Sequence, residues 1–209
     1  MKKIAIREYC RSKSVVFLKT NEAYGGLSNM AGGYALNIDG VRVLTSEALY
    51  QACRFPHLPN IQKLIISQKS PMTAKMRSKP YRDQSREDWL KVRVRIMQWC
   101  LRVKLVQNWA TFSELLLSTG DLPIVECSRK DTFWGAVPAD GENLFGANVL
   151  GRLLMELRKE VIEKGFNGFV TVTPPNVENF YFLGKPISDV PILHPAKASS
   201  PTKQSDMML

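Results

Sequence analysis

The chain has 209 residues, 44% hydrophobic and 23% charged, with a formal net charge of +10. Those values fit a soluble globular protein with one sizeable core and short tails, and no run approaches the ~18 apolar residues of a membrane span. Four scattered cysteines (Cys10, Cys53, Cys100, Cys127) form no CxxC pair, and only two histidines (His57, His194) accompany them, which excludes a metal site of the usual ligands and fits free thiols in a reducing cytosol.

Residues 1–12 are basic and weakly patterned. Met1 to Arg7 begins like a signal n-region but returns to charge before an apolar core can form, so a cytoplasmic location is expected. Val15-Val16-Phe17-Leu18 reads as a buried strand ending at Lys19-Thr20. The glycine-rich stretch Asn21 to Gly33 lacks the GxxxxGK[ST] pattern of a nucleoside triphosphate cradle. Tyr34 to Val43 predicts a hairpin turning at Asp39-Gly40 in type I′ geometry. Thr45 to Arg54 predicts a helix with Ala48, Leu49, Ala52 and Cys53 on its apolar face. Glu47, Gln51 and Arg54 share another stripe, at i, i+4 and i+7, as a polar cleft wall would require.

Two short helices are expected over 60–69 and 72–78, broken at Ser70-Pro71. Ser85-Arg86-Glu87-Asp88 resembles a capping box that opens the longest helix, to about Asn108, with Trp89, Val92, Ile96, Cys100 and Val103 facing the core. A helix over 111–118 closes at Gly120, and Leu122 to Cys127 is a short strand. The segment Ser128 to Gly135 packs an acid, two aromatics and a glycine into a poor helix composition. It leads to a helix from Asn148, a good N-cap, which buries Leu150, Leu153, Leu154, Leu157 and Val161 and ends at Gly165. An aromatic loop before a bare helix N-terminus suits a phosphate-bearing ligand. A last strand, Gly168 to Val172, precedes a Pro-rich segment. From 191 the chain reads as a disordered tail, leaving 13–190 as the domain.

The charge is clustered. Residues 75–95 carry eight basic side chains (Lys75, Arg77, Lys79, Arg82, Arg86, Lys91, Arg93, Arg95) against Asp83, Glu87 and Asp88, a net +5. Clustering of this kind favours a phosphate backbone as partner, so Lys75, Arg77, Lys79 and Arg82 are candidate nucleic-acid contacts.

Three blocks in order carry a resemblance: Gly26-Leu27-Ser28-Asn29-Met30; Thr45-Ser46-Glu47-Ala48-Leu49-Tyr50-Gln51-Ala52; and Asp131-Thr132-Phe133-Trp134-Gly135 with Asn148 to Arg158. With lesser matches at Ser70 to Lys75 and Leu116 to Asp121, the chain resembles the NADAR (YbiA-like) family over roughly residues 15–165. The resemblance implies an α+β fold, a single compact, mainly helical domain with a small β-sheet, and an enzyme cleaving N-glycosidic bonds. Some members act on ribosylamine intermediates of riboflavin biosynthesis; others, antitoxins to ADP-ribosyltransferase toxins, remove ADP-ribose from guanine in DNA. The chain looks most like the antitoxin branch, through Phe17 to Thr20, Tyr24 to Ala31 and Glu47 to Phe55. It departs from the commoner pattern at Cys53-Arg54, where many members have Gln-Lys.

The resemblance implies a reaction with ADP-ribosylated DNA and ADP-ribose as ligands, a cognate ADP-ribosyltransferase toxin as a further expected partner, and no cofactor, metal or membrane. A ribose joined to an exocyclic amine can ring-open to an imine, and an unprotonated lysine can then displace the base by transimination. Lys19, fixed at a strand end before the glycine loop, is the expected nucleophile, with Lys75 in reserve. Glu47 is the expected general acid/base and Asp131 the holder of ribose hydroxyls or of a charged intermediate. Ser28, Asn29, Gln51, Asn148 and Gly151 are candidate ribose and pyrophosphate contacts, Trp134 and Gly135 a base platform and a close backbone approach, and Arg129 and Arg152 phosphate contacts. No second carboxylate stands at a convincing position for a paired-acid glycosidase. A non-catalytic ADP-ribose-binding module is the remaining alternative.

Overall fold

Short strands frame a bundle of helices in the computed structural model, which describes residues 4–192. Strand β1 (Arg7–Cys10) and, beyond a 3-10 turn, β2 (Val15–Phe17) begin the chain. β3 (Leu36–Ile38) and β4 (Val41–Val43) form the expected hairpin. Asp39 and Gly40 both take positive φ, 49° and 83°, as a type I′ turn demands.

Helices α1 (Ser46–Ala52), α2 (Pro59–Ile66) and α3 (Pro71–Ser78) follow, then the long α4 (Trp89–Gln107) and α5 (Trp109–Leu117). β5 (Ile124–Glu126) pairs in parallel with β2, placing Glu126 opposite Phe17. β6 (Val137–Pro138) and β7 (Asn143–Gly146) precede α6 (Val149–Lys164), and β8 (Thr171–Val172), β9 (Tyr181–Phe182), β10 (Lys185–Pro186) and β11 (Val190–Pro191) complete the described chain.

The fold is the expected α+β class. Every residue of α1 is buried, because α2, α3 and α4 all pack against it. α4 forms the axis of the core, its Trp89, Val92, Ile96, Cys100 and Val103 buried as their spacing predicts. The five apolar positions expected of α6 are buried too, and the helix stops at Gly165, whose φ of 60° suits a glycine.

Several local readings change. Residues 7–10, unpatterned in sequence, form β1 at the edge of an antiparallel sheet ordered β1-β7-β6, because backbone pairing with Asn143–Gly146 needs no side-chain alternation. Ser85 is no capping residue. Its hydroxyl lies 2.6 Å from both the Arg54 Nε that donates to it and the Arg82 carbonyl, and α4 starts after Asp88, which instead pairs with Arg86. The tail expected from 191 lies, from 193 on, outside the described residues, as do residues 1–3.

Candidate active site

Glu47 lies on α1, capped by Thr45, whose hydroxyl accepts from the Ala48 amide. Glu47 as a whole is 5% exposed, and its carboxylate takes two amide hydrogen bonds: Asn29 Nδ2 to Oε2 at 2.6 Å and Gln51 Nε2 to Oε1 at 2.9 Å. The Gln51 bond follows from the i, i+4 spacing read in the sequence. Ser78 Oγ, at the end of α3, lies 2.9 Å from Gln51 Oε1 and 2.8 Å from the Lys75 carbonyl, so α1 and α3 are tied through side chains. Burial raises the Glu47 carboxyl above its ordinary value, opposed by Lys75 and by the two amide bonds.

A second carboxylate, missed in the sequence, lies within its electrostatic reach. Glu126 ends β5, and burial pushes it up to about 7, with Asp131 and Glu47 adding and Lys75 opposing. Two acids and one lysine therefore share one field. Lys75 is the cation felt by both acids. Lys19 lies two residues beyond the Phe17 that pairs with Glu126; its side chain is exposed and its backbone amide donates to Glu22.

The glycine loop reaches Glu47 through Asn29, whose Oδ1 is buried without a partner among the described residues. Behind the loop, Lys104 of α4 is 0% exposed and donates to the Gly26 carbonyl at 2.6 Å and the Ser28 carbonyl at 3.1 Å. The rings of Tyr34 and Phe112 lie 4.2 and 4.3 Å from its Nζ, and burial lowers its pKa to about 7. Ser28 is buried, with its hydroxyl accepting from the Met30 amide, and a Cβ on Gly26 would come within 2.5 Å of the Tyr34 hydroxyl.

The loop from Ser128 to Gly135 folds on itself. Asp131 Oδ1 accepts from the Phe133 and Trp134 amides, both at 2.9 Å, so this exposed acid shapes the turn while contributing charge to Glu126. Trp134 meets Tyr50 edge to face at 5.8 Å, and Tyr50 leans on Trp89 at 5.1 Å. Gly135 lets the chain pass the Glu126 carbonyl, which a Cβ would approach to 2.4 Å.

The helix end expected to be bare is filled. The Ala147, Asn148, Val149 and Leu150 amides donate to the carbonyls of Thr132, Gly135, Phe133 and Trp134, leaving those N–H groups no role toward a phosphate. Asn148 takes a left-handed conformation and makes no cap. Its side chain bridges the Ile124 carbonyl and the Glu126 amide, positioning Glu126 rather than a ligand. A Cβ on Gly151 would come within 2.1 Å of the Ile124 carbonyl, so this glycine serves close packing of α6 on β5. Arg129 is exposed, and Arg152 lines a separate shallow cleft with Ile4, Val94, Val149, Leu153 and Glu156. On α3 and the turn after it, Arg77, Lys79 and Arg82 are exposed, while Lys75 is partly buried.

Together these residues define an α+β domain with a buried carboxylate, Glu47, on α1, tied to the glycine loop through Asn29. Residues 16–162 match the NADAR domain. The chain is 36% identical over 164 residues to the N-glycosidase YbiA of Shigella boydii, a match covering 76% of this chain and 96% of that protein. It is 32% identical over 158 residues to a riboflavin biosynthesis protein of Vibrio vulnificus, spanning 76% of this chain but only 41% of the relative's length. The NMR structure of the E. coli protein YbiA superposes with a TM-score of 0.62 at 32% identity, covering 73% of this chain and 88% of that one. The chain belongs to the NADAR family.

Proposed function

We propose that the protein is an N-glycosidase that removes ADP-ribose from guanine in DNA and so reverses the action of a DNA ADP-ribosyltransferase toxin. The observation that carries the reading is Glu47, buried and amide-bonded, sharing its field with Glu126 and Lys75. Family membership and relatives named as N-glycosidases support the reaction class. The exposed Arg77, Lys79 and Arg82, on the element that carries Lys75 and the turn beyond it, support a DNA substrate.

In this reading Glu47 protonates the ribose ring oxygen, breaking the C1′–O4′ bond and leaving an imine to the base. The Lys75 amine, its ammonium proton taken by Glu126, adds to C1′; a proton passes from the added lysine nitrogen to the base nitrogen, and the C1′–N bond to the base breaks, releasing the base as its free amine and leaving a lysine Schiff base. Water adds to the resulting Schiff base, lysine leaves and the ribose recloses. We place Lys75 ahead of Lys19 because Lys75 is the lysine whose charge both acids feel. Asp131 acts by holding the turn beside Glu126, and Asn29 Oδ1 is free to accept from a ribose hydroxyl.

Relatives named for riboflavin biosynthesis favour a second reading, small ribosylamines as substrates. The test is to incubate the protein with a DNA oligonucleotide ADP-ribosylated on guanine, and separately with a pyrimidine ribosylamine phosphate. Release of ADP-ribose, abolished by Glu47→Gln in a folded variant, supports the first reading. Turnover of the ribosylamine alone replaces it with the second, and tight ADP-ribose binding without any turnover leaves a binding module.

A further inference from the structure

Six of the thirteen arginines fall into two groups. Structural ones are matched: Arg86 with Asp88, Arg102 with Glu160, Arg158 with the Thr119 hydroxyl and the Leu122 carbonyl, and Arg95 with the Asn176 carbonyl. Arg54 and Arg93 are partly buried, yet neither is in an ion pair among the described residues.

They sit at the two ends of one row of rings. The Arg54 guanidinium lies 5.0 Å from the Trp89 centroid, Trp89 touches Tyr50, Tyr50 meets Trp134, and Trp134 meets Phe133 at 5.1 Å. Arg93 closes the row, 3.7 Å over Phe133 and 5.9 Å from Trp134. A guanidinium lying on a ring is fixed in orientation while its edge donors stay available for a planar anion. The Nε of Arg93 is shut off from solvent with no hydrogen-bond partner among the described residues, and Arg54 is steadied through Ser85. Arg82, exposed at the rim, adds a third like charge: burial lowers the Arg54 pKa, and Arg82 and Arg93 lower it further. The Tyr50 hydroxyl feels both Arg54 and Arg93 and also Glu47, which puts the row beside the acid–base centre.

Partly buried cations of one sign, with no carboxylate among them, are a site short of an anion. From this, and resting on the N-glycosidase reading above, the structure assigns Arg54 and Arg93, with Arg82 at the rim, as a subsite for the phosphate on the 5′ side of the ribose that Glu47 works on. A ribosyl 5′-phosphate and the pyrophosphate of ADP-ribose share this chemistry, and fork-shaped guanidinium donors suit both.

Titrate the full chain by calorimetry with ADP-ribose, ribose 5-phosphate, ribose and an unmodified DNA oligonucleotide, using wild type, Arg54→Met, Arg93→Met and Arg93→Lys. Expected is at least a tenfold loss of affinity for the phosphorylated ribose ligands in each Met variant, partial recovery in Arg93→Lys, and little change for the oligonucleotide. ADP-ribose weakened by Arg93→Met while ribose 5-phosphate is not would point to the pyrophosphate alone as the source. Unchanged binding of both phosphorylated ligands by folded Met variants overturns the subsite and leaves the N-glycosidase reading standing. Arginine-dependent binding by a protein that cleaves no N-glycoside fails the reading and keeps the subsite. If a Met variant does not fold, phenylglyoxal labelling of the wild type decides: ribose 5-phosphate should protect Arg54 and Arg93, and protection of neither rejects the proposal.

Discussion

Replacing Lys104 by Met keeps an apolar stem between Tyr34 and Phe112 and removes the amine that holds the Gly26 and Ser28 carbonyls. Each carbonyl left without a donor costs about 1–3 kcal/mol, at any pH. The charge makes a second, pH-dependent contribution. The folded pKa, about 7, lies below the value near ~10.4 of an unfolded lysine, so between the two the unfolded chain binds more protons and stability rises with pH. At about 1.4 kcal/mol per pH unit, the wild type should gain roughly 3 kcal/mol from pH 7 to pH 9.5 through this group alone. Lys104→Met lacks that gain. Urea unfolding of both proteins at pH 6.5, 8 and 9.5 should show the stability difference widening steadily as pH rises, groups common to both cancelling. Parallel curves would mean instead that the folded protein protonates this amine as readily as the unfolded chain does.

Glu126→Gln should lower kcat and flatten the limb of the pH–rate profile centred near pH 7, where the wild type gains activity as Glu126 ionises. The same variant should be more stable than wild type at pH 8, by about 2 kcal/mol. A folded pKa raised above the unfolded one makes stability fall as pH climbs from the unfolded value through about 7, and Gln escapes that loss. Gly151→Ala pushes a Cβ to 2.1 Å from the Ile124 carbonyl and 2.5 Å from Asn148 Nδ2, and thermal unfolding should show a loss of roughly 2–3 kcal/mol. Asn148→Ala removes both side-chain bonds to β5 and the residue type that tolerates its φ of 46°; activity should fall with stability, since Glu126 loses the amide anchor behind it.

Much of this was legible from local chemistry. Asp39-Gly40 declares its turn because few residue pairs accept two positive φ values, and the apolar spacing of α4 and α6 declares their buried faces. Glu47 and Gln51 were found together because helix geometry alone puts i and i+4 on one side. What distant chain segments decide was hidden. Glu126 looked like one more residue of the short strand from Leu122 to Cys127; its company, Asp131, Lys75 and Glu47, arrives from three other segments. The orphan amides of α6 looked open because the sequence does not say that the carbonyls of the Phe133-Trp134 loop turn back onto them. The Ser85 capping box failed for the same reason, its hydroxyl claimed by Arg54. Lys104 did leave a signal: it falls four residues after Cys100 and eight after Ile96, squarely in the core stripe of α4, where a lysine needs buried acceptors.

In the proposed reaction a lysine sharing the field of the buried Glu47 and the half-buried Glu126 carries the ribose during cleavage. Borohydride added during turnover of the guanine-ADP-ribosylated oligonucleotide, followed by peptide mass mapping, tests it most directly. Expected is a reduced ADP-ribosyl adduct on Lys75 that disappears in Lys75→Ala together with ADP-ribose release. An adduct on Lys19, or full release with no adduct on any lysine, would contradict it.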